Sequence, residues 1–225
     1  MTSCVKDIHH NPSFDLLTKK ELAYLKEGSA EVSFKKNEII IKQGAVTNNI
    51  LFGETGVYKL HMEGAKHDII MTLKRERSFL GLSNLFSENK THQYSVTALE
   101  NCTIYYYDKK KFEDILAKNN KFAVEIIKYI NHNFARIMSR FLCVAQKNAR
   151  GKVAEMLLCL ATNLYEDTKF TLNMSRSELA DFAGLSMENT IRILKEFNED
   201  QMISLNGKKI EITNLPVLEK VSEFG

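Results

Sequence analysis

Between Ser175 and Asn198 apolar positions recur at helical spacing in two bursts separated by a glycine. Leu179, Ala180, Phe182 and Ala183 give the first burst one apolar face, and Thr190, Ile193, Leu194 and Phe197 give the second another, at steps of three and four. Ser175 with Glu178 three residues later is a capping box, which satisfies backbone N–H groups that a helix start leaves unpaired. Gly184, able to take a positive φ, stops the first helix, and Ser186 is placed to cap the second. The pattern predicts a helix-turn-helix, whose second helix can enter a DNA major groove and leaves Met187, Glu188, Asn189, Arg192 and Lys195 facing outward. An αα-corner in an unrelated helical domain is the plain alternative.

The segment after the helix pair weighs against that alternative. Met202, Ser204 and Leu205 precede Asn206-Gly207, a hairpin-turn dipeptide, and Ile210 and Ile212 alternate with Glu211 after it. Two helices followed by a β-hairpin make a winged helix, with Lys208 and Lys209 at or just past the wing tip. Lysines near a turn are ordinarily just solvated.

Upstream the period changes. Pro12 to Leu25 reads as a short helical lead-in with a second capping box, Thr18 to Glu21. From Ala30 to Tyr107 about eight short β-branched or aromatic runs, punctuated by Gly44, Gly53, Gly56 and Gly64, predict a β-sandwich or jelly roll. Asp108 to Ala117 reads as a short basic helix, and Asn119 or Asn120 caps a longer one. Along it Ala123, Ile127, Ile130, Phe134, Ile137, Phe141 and Val144 recur at alternating steps of four and three, a heptad seam. Phe122, Ile126 and Tyr129 form an adjacent apolar strip, so the helix can pack on its own β domain, on a second copy of itself, or on both. A hinge near Gln146 to Gly151 leads into Val153, Met156, Leu157, Leu160 and Ala161, an amphipathic helix.

Composition changes the picture little. The 225 residues are 44% apolar and 26% charged, with room for one large domain or two ordinary ones and no apolar run near the ~18 residues that span a bilayer. No membrane role is expected, and without a hydrophobic signal core at the N-terminus the expected location is the cytoplasm. Formal charge is +3. Residues 145–225 hold 10 basic against 12 acidic side chains, so a nucleic-acid surface there must concentrate its cations locally, from Arg176, Arg192, Lys195, Lys208 and Lys209. Cys4, Cys102, Cys143 and Cys159 show no metal or redox spacing, and His9-His10 beside Cys4 reads as a solvated terminus. No cofactor and no metal is expected. There is no nucleophile elbow, Walker loop or metal-spaced histidine pair, so catalysis is not expected either.

The run G-L-S-M-E-N-T-I-R-I-L-K-E-F-N-E-D-Q-M-I-S-L-N-G-K-K-I resembles the DNA-binding region of the Crp/Fnr family of bacterial transcription regulators. The resemblance implies that Glu188 and Arg192, one turn apart, read base edges, Arg on guanine and Glu on a cytosine amino group. Many members carry an Arg where this chain has Met187. The DNA-contacting set expected is Ser175, Arg176, Ser186, Met187, Glu188, Asn189, Arg192, Lys195 and Lys208. A homodimer is expected through Ala123, Ile127, Ile130, Phe134, Ile137 and Phe141 of the heptad seam, as in the family's dimer, and the resemblance implies RNA polymerase as a partner. K-Q-G at 42–44 and E-T-G-V-Y-K-L at 54–60 resemble turns of the family's cyclic-nucleotide-binding jelly roll, and F-L-G-L-S-N-L-F at 79–86 with H-Q-Y-S-V-T-A at 92–98 resembles its phosphate-binding cassette.

In that cassette a Glu holds the ribose hydroxyl and an Arg-Ser pair the cyclic phosphate. Here Leu82 stands at the Glu position and His92 and Gln93 at the Arg and Ser positions, so cyclic AMP binding is not expected. Gly81, Leu82, Ser83, His92 and Gln93 remain candidates for an unknown small-molecule effector, against a pocket filled by its own side chains. An iron–sulfur sensor is not expected, since only Cys4 lies near the N-terminus.

The fold expected is α+β: a sensor jelly roll with short flanking helices over 1–118, a dimerisation helix over 119–146 and a winged helix-turn-helix over 147–225. The function expected is a sequence-specific transcription regulator that binds double-stranded DNA at an inverted repeat. The alternative is a small-molecule-binding module whose winged helix contacts protein, which the acidic bias of the C-terminal region motivates.

Overall fold

The computed structural model describes residues 14–46, 48–64, 68–86, 88 and 90–225. Pro12, Cys4, His9 and His10 lie outside the described residues. The described residues divide into two compact units, one of 14–63 with 73–134 and one of 64–72 with 135–225.

The first unit opens with a 3-10 turn, Phe14–Leu16, and helix α1 (Lys19–Lys26). The Thr18 capping box forms, with Thr18 N donating to Glu21 Oε2 at 2.7 Å and Glu21 N to Thr18 Oγ1 at 3.3 Å. Along the chain eight strands follow: β1 (Ala30–Phe34), β2 (Ile39–Ile41), β3 (Asn49–Thr55), β4 (Tyr58–Met62), β5 (Ile69–Lys74), whose residues 69–72 are counted with the second unit, β6 (Ser78–Leu80), β7 (Ser95–Ala98) and β8 (Cys102–Asp108). They make two four-stranded sheets, ordered β1-β8-β3-β6 and β2-β7-β4-β5, in which every described pairing is antiparallel. Helix α2 (Lys109–Lys118) is capped by Asp108, which accepts from Lys111 N at 2.8 Å.

Helix α3 (Asn120–Gln146) starts where Asn119 Oδ1 accepts from Phe122 N at 3.0 Å. Its 27 residues, at ~1.5 Å each, span roughly 40 Å. Its Phe122, Ile126 and Tyr129 close an aromatic core with Phe52, Phe79 and Phe112, with Phe79 edge-on to Phe52 at 4.9 Å and to Phe112 at 5.6 Å. Burial of the two aromatic rings and the isoleucine that the helix contributes supplies apolar drive for docking it. The Tyr129 hydroxyl donates to Phe79 O at 3.2 Å and accepts from Phe79 N at 3.1 Å, and burial pushes its pKa up to about 12.

The second unit contains α4 (Ala149–Cys159), a π-helical extension Leu160–Tyr165, β9 (Lys169–Thr171), α5 (Arg176–Ala183), α6 (Met187–Glu199), β10 (Ile203–Asn206), β11 (Lys209–Ile212) and α7 (Leu215–Phe224). The pattern led us to expect α4 to be amphipathic, but it is buried on several faces, with Ala154 and Glu155 as enclosed as Val153, Met156 and Leu157. The reason is α7, which the sequence pattern did not announce and which packs along α4. Inside that contact Lys147 Nζ donates to Glu155 Oε2 at 3.0 Å and to Ser222 Oγ at 2.8 Å, and Ser222 Oγ donates to the same Glu155 oxygen at 2.5 Å. The hairpin is part of a three-stranded sheet, β10-β11-β9, because β9 pairs with β11.

Candidate nucleic-acid interface

Helices α5 and α6 are built by their local signals. Glu178 N donates to Ser175 Oγ at 3.1 Å and Ser175 N to Glu178 Oε2 at 2.8 Å, which completes the capping box. Gly184 takes φ +66°, and a Cβ there would also come within 2.8 Å of Val144 Cγ1. Val144, expected in the seam of α3, is therefore turned toward the helix-turn-helix of its own chain. Ser186 Oγ accepts from Asn189 N at 3.3 Å and starts α6. Thr190, Ile193, Leu194 and Phe197 are buried, while Met187, Glu188, Arg192 and Lys195 are exposed and Asn189 is half-buried.

Arg192 is not loose on this surface. Its Nη2 donates to Asn189 Oδ1 at 2.6 Å and its Nη1 to Glu196 Oε1. The other Glu196 oxygen accepts from Arg150 Nη1 at 2.8 Å, and Arg150 Nη2 reaches Asp200 at 2.9 Å while its guanidinium lies 4.9 Å from the Phe197 ring centroid. A chain of charges thus links α4 to the outward face of α6. Sequence reasoning missed Arg150 and Glu196, because the two are 46 residues apart and meet only when α4 docks on α6.

Arg176 is engaged within the protein. Its Nη2 donates to Gly207 O and its Nη1 is buried, so the side chain pins the wing turn to the start of α5 instead of projecting from it. The hairpin closes on Asn206 paired with Lys209, so the turn residues are Gly207 and Lys208, one position later than Asn206-Gly207 suggests. Gly207 supplies the positive φ, +60°, and Lys208 and Lys209 are exposed at the tip.

The five effector candidates do not converge. Leu82 is 7% exposed and belongs to the aromatic core of the first unit, because an apolar side chain on that short 3-10 turn gains more from the core than from a polar pocket. Ser83 and Gln93 are exposed, and Gln93 Nε2 donates to Thr91 O at 3.1 Å. His92 is 6% exposed; its Nδ1 lies 3.4 Å from Asn84 Nδ2, and burial lowers its pKa below the ordinary 6.5. Its ring also adjoins Gly81, where an added Cβ would come within 3.4 Å of His92 Cε1. Asn84, buried beside it, carries no periodic or motif signal that would single it out in the sequence.

The heptad row on α3 is mostly exposed in the single chain, with one shift of phase. Ile127, Phe134 and Phe141 are 56%, 63% and 62% exposed, Ile130 is exposed and Ile137 is half-buried. Ala123 is the correction: it is half-buried and packs on the chain's own core, next to Phe122 and Ile126 on the helix. Val124 and Met138 are exposed in its place, beside Ile127 and Phe141 on the outward row.

Comparison with known proteins accords with these elements. Residues 31–119 match the Cyclic nucleotide-binding domain and residues 151–221 match the Crp-like helix-turn-helix domain. The chain is 21% identical over 183 residues to the transcriptional activator protein Anr of Pseudomonas protegens, covering 79% of this chain and 74% of that one. It is 24% identical over 212 residues to the transcriptional activator protein FnrL of Cereibacter sphaeroides, covering 90% and 84%. Among solved structures its fold is like that of FixK2 from Bradyrhizobium japonicum, with a TM-score of 0.77 at 18% identity over 86% of this chain and 96% of that one. A Crp/Fnr-family transcriptional regulator from Thermus thermophilus gives 0.71 at 19% identity, covering 86% and 98%.

Proposed function

Because the chain belongs to the Crp/Fnr family of transcription regulators and carries that family's helix-turn-helix DNA-binding domain, we propose that it reads an inverted-repeat operator as a homodimer, with Glu188 and Arg192 of α6 as its base-reading pair. The observation that carries this is the outward row of α6. Two side chains of opposite charge and complementary hydrogen-bonding sense project from adjacent turns, and Asn189 holds the Arg192 guanidinium at 2.6 Å. Arg presents a fork that matches guanine O6 and N7, and a carboxylate accepts from a cytosine amino group. Met187 offers a thioether, which can touch a thymine methyl but donates no hydrogen bond. Lys195 and Lys208 supply phosphate contacts flanking the readout.

The proposed division of labour is a sensor region over 1–118, a dimer helix over 119–146 and a DNA reader over 147–225. The exposed row Ile127, Ile130, Phe134 and Phe141 supports α3 as the dimer seam. A two-fold axis along that seam would set two recognition helices about 34 Å apart, on successive major grooves. In the sensor region, cyclic AMP is not the effector. Leu82 is committed to the core, and a buried, neutral His92 cannot neutralise a phosphodiester as an Arg would. RNA polymerase is the further partner that family membership implies, and the cytoplasm is where such a regulator would meet both. No helix of the described residues is long and apolar enough to cross a membrane.

The test is selection of bound duplexes from a random pool, followed by footprinting of the enriched site. The expected result is a motif with dyad symmetry whose enrichment is lost in Arg192→Ala. No enriched motif at low salt would sink the proposal and favour a protein partner for the winged helix, and a motif indifferent to Arg192→Ala would remove Arg192 as a base reader.

A further inference from the structure

Arg140 on α3 is a cation with unmet bonding capacity. Its guanidinium lies 4.4 Å from the Phe182 ring centroid, and its Nη1 reaches the Cys143 sulfur, a weak acceptor, at 3.8 Å. Its Nε and Nη2 are both buried, and neither has an acceptor among the described residues. Those two N–H groups share one edge of the planar fork, the edge that receives two oxygens of a planar anion side-on. A desolvated guanidinium with that edge unpaired is costly, so the arrangement asks for an anionic partner.

The space beside it has a definite size and charge. Arg140 lines a cavity of about 40 Å³ together with Arg136, Ser139, Thr72, Asn163 and Glu155, all within the second unit. A water needs roughly 10–15 Å³ of such space, so the enclosed part beside Arg140 suits a small ion of a few non-hydrogen atoms. Two guanidinium groups face one carboxylate, and Glu155 is already bonded by Lys147 and Ser222. Arg140 is the lining cation whose Nε and Nη2 meet no acceptor among the described residues.

We propose that this cavity binds a small planar oxyanion, of the carboxylate or nitrate kind, on the Nε–Nη2 edge of Arg140. Such an anion would tie α3 to the π-helical turn through Asn163 and to α5 beside Phe182. It would therefore stiffen the footing on which the helix-turn-helix stands. The site is separate from the jelly-roll residues Gly81 to Gln93, and it does not depend on what α6 contacts.

Calorimetry on the full chain tests this, with formate, acetate, nitrate and benzoate titrated at an ionic strength held constant with chloride. The expected result is saturable binding of formate, acetate or nitrate, none of benzoate, and at least a tenfold weaker affinity in Arg140→Lys, which keeps the charge and loses the edge. Which of the three small anions binds tightest separates a carboxylate ligand from nitrate. No saturable heat from any of them, equal binding by benzoate, or unchanged affinity in Arg140→Lys would overturn the proposal. A crystal structure in formate provides a readout that does not depend on the variant folding. Planar anion density on the Nε–Nη2 edge supports the site, and water alone overturns it.

Discussion

Arg192 and Glu196, one turn apart on α6, are paired while the second oxygen of that carboxylate is held by Arg150 at 2.8 Å. The guanidinium proposed to read guanine is thereby anchored, through one acid, to a residue of α4. Anchoring reduces the side-chain entropy lost when Arg192 engages a base.

Replacing Arg192 with Ala should lower discrimination at one operator position by about 1–3 kcal/mol, roughly 5- to 150-fold, as one bidentate base contact is worth. Glu196→Gln should behave differently. Removing an acid beside the phosphates raises affinity for random DNA, while the looser Arg192 reads less strictly, so the ratio of specific to nonspecific affinity falls. Fluorescence anisotropy with operator and scrambled duplexes at several salt concentrations measures both. An unchanged ratio in Glu196→Gln would remove the anchoring role.

The two sides of α3 should respond oppositely to substitution. Phe134→Glu, on the exposed row, should give a folded monomer by sedimentation velocity with little change in monomer melting. Phe122→Ala, in the aromatic core, should cost about 3–5 kcal/mol of stability by denaturant titration. A Phe134→Glu protein that remains dimeric would refute the seam.

The Lys147–Glu155 pair is largely enclosed, at 12% and 6% side-chain exposure. Lys147→Met takes the ammonium away from a buried carboxylate, and should destabilise by about 3–5 kcal/mol. The double variant Lys147→Met/Glu155→Leu should recover most of that loss, since replacing a whole buried pair with apolar groups is close to neutral. Urea unfolding of the three proteins checks the order.

Burial holds His92 below its ordinary pKa of 6.5. Above 6.5 the ring is neutral in both folded and unfolded chains and contributes no pH dependence. As pH falls below 6.5 the unfolded chain takes up a proton that the folded chain resists, so stability drops until pH passes the folded pKa. His92→Gln should therefore show a shallower loss of melting temperature between pH 6.5 and 5 than the wild type. Parallel curves would show that the ring is solvated.

How far the sequence reached depended on the separation over which each interaction acts. Both capping boxes, the Gly184 stop, the Ser186 cap and the buried face of α6 are contacts made within three to four residues, so the local sequence, Thr18 to Glu21 and Ser175 to Phe197, determined them unaided. The apolar rows of α3 were equally legible, because a helix fixes which residues share a face. The sequence could not settle which row meets the protein's own core at its start. That boundary moved by one residue, from Ala123 to Val124, when Phe122 and Ile126 docked on Phe79 and Phe112.

Tertiary structure alone decided the partners of long, flexible or isolated side chains. Arg176 went to Gly207, Arg150 to Glu196 and Lys147 to Ser222, across 31, 46 and 75 residues. Leu82 went to the core and α4 was enclosed by α7. Local periodicity carries no record of such choices, because their free energy exists only once the elements have packed and water has been excluded from the contact.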